Sequence, residues 1–115
     1  MPVNAPQARL VLTSLNSPEE AARLGQILVE EKLAACATLL PGARSIFHWQ
    51  GQIEEAHETL LLLKTGPDLL AALEARLHEL HGYQLPEFLV FSVEAGSKAY
   101  LEWLHSCLRA NSELL

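Results

Sequence analysis

Five histidines, two cysteines and fourteen acidic side chains carry most of the chemistry open to this 115-residue chain. His78 and His81 stand at i, i+3, a spacing that on a helix puts two imidazoles on one face, as a metal ion would require. The plainer reading places both in the last helical turn, beside its negative end. His57 alternates with acidic neighbours on a strand, His105 reads as helix surface, and His48 lies beside a hairpin tip where it suits a subunit contact. Cys36 and Cys107 read as buried free thiols, used as small core residues rather than as a bridge.

Among the acids, Glu54, Glu55 and Glu58 read as the solvated face of a strand. Glu87 differs, because it follows Pro86 and opens a run that otherwise looks like core; its carboxylate needs a partner or a pocket. Lys64, after four leucines, raises the same question on another strand. No HExxH, CxxC, phosphate-cradling glycine loop or Ser-His-Asp order occurs, so no reaction type follows from the residues.

The elements that hold these groups are legible from periodicity. Residues 9–15 form a short apolar run that reads as a buried strand. Ser17, Pro18 and Glu20 make a capping box opening a helix whose apolar side carries Ala21, Leu24, Ile27, Leu28 and Leu33, with an end expected near Ala35. Cys36 to Trp49 is extended across Pro41-Gly42, Gln50-Gly51 is a tight turn, and Gln52 to Thr65 returns as a second long strand. Gly66-Pro67-Asp68 opens a helix with leucines at 70, 73, 77 and 80, which Gly82 is placed to end. Residues 87–93 read as another buried strand, and Gly96-Ser97 caps a last helix bearing Tyr100, Leu101, Leu104, Cys107 and Leu108. The order β-α-β-β-α-β-α predicts an α+β, ferredoxin-like βαββαβ sandwich with a C-terminal helix, in a single domain over 1–115 with a flexible arm over 1–7.

Composition narrows the function. Apolar residues make up 50% and charged ones 19%, the balance of a globular protein rather than a disordered one. Eight basic against fourteen acidic residues leave a net charge of −6 with no basic stretch, which speaks against nucleic acid and anionic membranes. No apolar run approaches the ~20 residues of a membrane span and no secretory leader is visible, so a cytoplasmic place is expected. The hairpin strand over 36–49 would reach ~46 Å if straight, against a diameter of roughly 35 Å for a domain of this size. Either Pro41-Gly42 bends it back or its tip, with Ile46, Phe47 and Trp49, reaches a neighbouring subunit; the apolar tip favours an oligomer.

Read in order, the motifs resemble the CutA-type divalent-cation tolerance proteins over roughly Ala8 to Arg109. The most specific are Lys32-Leu33-Ala34-Ala35-Cys36, then Pro41-Gly42, Ser45, Trp49, Gly51, Glu58 and Lys64-Thr65. His81-Gly82-Tyr83-Gln84-Leu85-Pro86-Glu87 is similar to the family's H-P-Y-x-x-P-E, and Gly96, Tyr100, Leu101 and Trp103-Leu104 match its tail. The resemblance implies a homotrimer with hairpins packed across subunits, a link to tolerance of copper and other divalent ions, and no enzymatic reaction. It departs at Gly82, where the family has Pro, and at Thr13 and Leu80, which replace a Cys and a His of the copper-associated pattern and leave His81 as the one retained ligand.

The ligand-binding residues expected from these arguments are Cys36, Trp49, Lys64, His81, Tyr83 and Glu87, in an intersubunit cleft, with His81 the metal donor and copper or another divalent cation weakly held. Alternatively, the same groups form a polar network that fixes the trimer. Two further readings stay open: a trimeric small-molecule sensor similar to PII signalling proteins, and a small enzyme of this fold with Glu87 or His81 as base.

Overall fold

A computed structural model of the chain describes residues 6–110. The strands are β1 (Ala8–Leu15), β2 (Cys36–Trp49), β3 (Gln52–Thr65) and β4 (Leu89–Val93). The helices are α1 (Pro18–Glu30), α2 (Leu70–Leu80) and α3 (Lys98–Ser106), with a 3-10 turn over Pro67–Leu69 leading into α2. The four strands form one antiparallel sheet in the order β2-β3-β1-β4, the arrangement of a ferredoxin-like fold. Within the expected arm, Pro6 and Gln7 are described, and Gln7 is held: its carbonyl accepts a hydrogen bond from His105 Nε2. The remainder of the arm lies outside the described residues.

The core lies between α1, α2 and one sheet face. Val11 and Leu15 of β1 and Leu61 and Leu63 of β3 alternate onto that face and meet Ala21, Leu24, Leu28, Leu73 and Leu77. Gly25 marks the closest approach of α1 to the sheet, since a Cβ there would stand 2.9 Å from Ala37 Cβ. A smaller cluster of Ala8, Ala35, Leu101 and Leu104 seats α3.

Helix α1 starts as the capping box predicts, with the Ser17 side chain accepting from the Glu20 N–H at 3.2 Å. It ends at Glu30, short of Ala35, because Lys32 turns left-handed (φ 60°) and the Leu33 and Ala34 N–H groups reach back to the Leu28 carbonyl. Leu33 is buried just past the helix rather than on it. Helix α2 ends at Leu80, and the cap is His81 in an extended conformation (φ −78°, ψ 140°), not Gly82. Strand β4 is not buried: it is an edge strand whose Leu89 and Phe91 are each 48% exposed. Both thiols are free and half-buried rather than fully buried, and Cys107 packs against the cluster that seats α3.

The hairpin is not folded back. At Pro41-Gly42 the β2–β3 register shifts by one residue between Leu40 and Ala43, a bulge that leaves pairing intact to Trp49 opposite Gln52. Gln50 (φ 51°) and Gly51 (φ 79°) close it in the left-handed conformations that a two-residue hairpin turn needs. The projection stretches the chain to 48 × 31 × 23 Å, with a radius of gyration of 15.1 Å where a compact chain of this length has about 13 Å.

Candidate functional site

The site grows from the end of β1, where three separate stretches of chain converge. As α2 stops at Leu80, the extended His81 swings its imidazole under β1. Nδ1 accepts the Tyr83 backbone N–H at 3.1 Å, so the ring proton sits on Nε2 and is donated to the Ser14 carbonyl at 2.9 Å. The Thr13 hydroxyl oxygen is 3.3 Å from the same nitrogen. Burial lowers the His81 pKa, and His78 adds to the effect, outweighing the Ser14 carbonyl and the Glu20 and Glu58 carboxylates. His81 is thus a neutral structural imidazole. His78 stays on the exposed surface of α2, so the two imidazoles do not share a helix face.

Tyr83 leaves the loop in the other direction. Its ring lies 4.9 Å from that of His81, and its hydroxyl donates to Glu58 Oε2 on β3 at 2.7 Å. Burial, and then the bond to Glu58, raise the Tyr83 pKa well above the usual phenol range, so the proton stays on the phenol. Glu87 turns back to β1, where Oε1 accepts from the Ser14 hydroxyl at 3.2 Å. The partner that its position demanded is therefore a serine at the strand end.

Between these groups and the projecting hairpin lies an open cleft of about 650 Å³, walled by Phe47, Trp49, Glu54, Glu58, Tyr83 and Glu87 among others. Tyr83 separates it from a smaller recess of about 150 Å³ beside His81 and Glu20. The acidic strand residues are not one solvated face: Glu54 and Glu58 point to the cleft, while Glu55 lies on the opposite side and pairs with Arg44.

The expected site residues divide into two groups within one chain. Trp49, Tyr83 and Glu87 line the cleft, with His81 beneath it. Cys36 and Lys64 are cross-strand partners further along the sheet, Lys64 being six residues from Glu58 on β3, about 20 Å at strand spacing. There the Lys64 ammonium donates to the Tyr100 hydroxyl at 3.3 Å and lies 5.7 Å from the centre of its ring. The Tyr100 hydrogen bond raises its pKa, and neighbouring Cys36 adds to the rise. Residues the sequence reading left out are Ser14, Phe47 and Glu54; strand alternation counted from the Gln50-Gly51 turn would have put Phe47 and Glu54 beside Trp49 and Glu58.

The copper-associated positions do meet, since Thr13 touches His81, but they do not fit the ion. Thr13 brings a hydroxyl, Leu80 no donor at all, and both His81 nitrogens serve backbone groups. Among the described residues no three His, Cys, Asp or Glu side chains converge as a metal site.

Comparison with known proteins agrees with this architecture. The CutA1 divalent ion tolerance protein family model matches residues 9–107. The divalent-cation tolerance protein CutA of Citrobacter koseri is 42% identical over 107 residues, covering 93% of each chain. Among solved structures, CutA from Synechococcus elongatus superposes with a TM-score of 0.86 at 41% identity, over 90% of this chain and 91% of that one. The corresponding values for CutA1 from Oryza sativa are 0.88 and 33%, over 91% and 96%. With the family pattern, the fold and the matched stretch in agreement, this chain belongs to the CutA1 divalent ion tolerance family.

Proposed function

We propose that the chain works as a cytoplasmic homotrimer that binds and responds to metal ions or small molecules without catalysing a reaction. The observation that carries the trimer is the sheet face opposite the helices. Leu40, Leu89 and Phe91 expose 47%, 48% and 48% of their surface there, β4 offers an unpaired outer edge, and the hairpin projects far enough to reach another copy. A bare apolar face beside an open strand edge is an interaction surface. Light scattering at micromolar concentration is expected to give three times the chain mass of 12.7 kDa; a monomer mass would end this reading.

Copper or another divalent cation is proposed as a weak ligand, because the donor set near Thr13 is incomplete and His81 is engaged. Calorimetry is expected to show Cu²⁺ affinity of about micromolar or poorer, unchanged by His81→Ala. The cleft favours a second reading, a sensor of small organic ligands similar to PII proteins: about 650 Å³ falls in the range of pockets that enclose such molecules. No helix among the described residues is long and apolar enough to cross a membrane, in keeping with the proposed location.

A further inference from the structure

We draw no further inference here: the strongest candidate, the side-chain cluster of the Cys36 thiol, the Lys64 ammonium and the Tyr100 hydroxyl where β2, β3 and α3 meet, carries nothing because it holds a lone cysteine with no second observation that points to a ligand and lies on the sheet face assigned to the subunit contact.

Discussion

The Tyr83 hydroxyl donates to Glu58 across 2.7 Å, tying the loop after α2 to β3 where the hairpin begins to project. The contact holds one wall of the cleft against the other. Tyr83→Phe removes the donor and leaves Glu58 without it, at a cost of about 1 kcal/mol. Urea unfolding should show a lower midpoint with an unchanged slope. A midpoint equal to that of the parent would mean that solvent already competes for this bond.

His81 links pH to stability. Its pKa in the folded chain lies below the ordinary 6.5, chiefly because the ring is buried. Below pH 6.5 the unfolded chain therefore binds a proton that the folded chain resists, and stability falls as pH drops towards the folded pKa. Above pH 6.5 the contribution is complete. His81→Gln should flatten this part of the profile, and it should cost about 2 kcal/mol at neutral pH by disturbing the backbone bonds to Ser14 and Tyr83. Thermal melts across pH 5 to 8 would check it, and a parent profile that does not slope below pH 6.5 would contradict the shift.

Gly25→Ala sets two effects against each other. Alanine is favoured over glycine inside a helix by about 1 kcal/mol. The new Cβ would stand 2.9 Å from Ala37 Cβ, on the facing strand β2. Overpacking of this kind costs about 1–3 kcal/mol, so net destabilisation is expected, with a lower melting temperature. A more stable variant would show that α1 can move off the sheet freely.

Phe91 sits on the bare sheet face opposite Leu10, exposed along the β4 edge. Phe91→Asp places a carboxylate where subunits are proposed to meet, and should cost assembly about 2 kcal/mol or more, as loss of an aromatic anchor does. The mass from light scattering should then fall towards 12.7 kDa. An unchanged trimer would move the interface away from this face.

Restoring the two missing donors should recover copper. In Thr13→Cys with Leu80→His, a thiol replaces the hydroxyl 3.3 Å from His81 Nε2, and the residue before His81 gains an imidazole. Copper affinity measured by competition should rise by about tenfold or more over the parent. An unchanged affinity would show that the backbone bonds of His81 exclude it from coordination.

Much of the fold could be read from local signals. Ser17, Pro18 and Glu20 fix the start of α1 because a cap is a local hydrogen bond, and the long strands follow from runs of β-forming residues on either side of Gln50-Gly51. Helix ends were less legible. Lys32 takes a left-handed conformation that local sequence assigns to glycine, and α2 stops at Leu80 because the His81 ring is engaged by Ser14, far away in sequence. The candidate site was half legible. Glu87 drew notice because it preceded an apolar run, but its partner Ser14 and its distance from Lys64 depend on strand pairing. Residues 87–93 looked buried because their side chains are apolar; in the single chain β4 lies at an exposed edge.

The bulge between Leu40 and Ala43 sets the parity of everything beyond it. Up to Leu40, the even-numbered residues Cys36, Thr38 and Leu40 share a face with Lys64, Leu62 and Leu60; from Ala43 onward, the odd-numbered residues share it with Glu58 and Glu54. One surplus residue thus converts an apolar sheet face into an aromatic cleft wall without breaking the ladder. Were the same residues paired without the bulge, Ile46 and His48 would take this face and Phe47 and Trp49 the other, whereas losing one residue at Pro41 or Gly42 would leave a regular ladder with Phe47 and Trp49 where they are. The bulge is thus what lets a chain of this length carry its aromatic residues, rather than Ile46 and His48, on the cleft side of the hairpin.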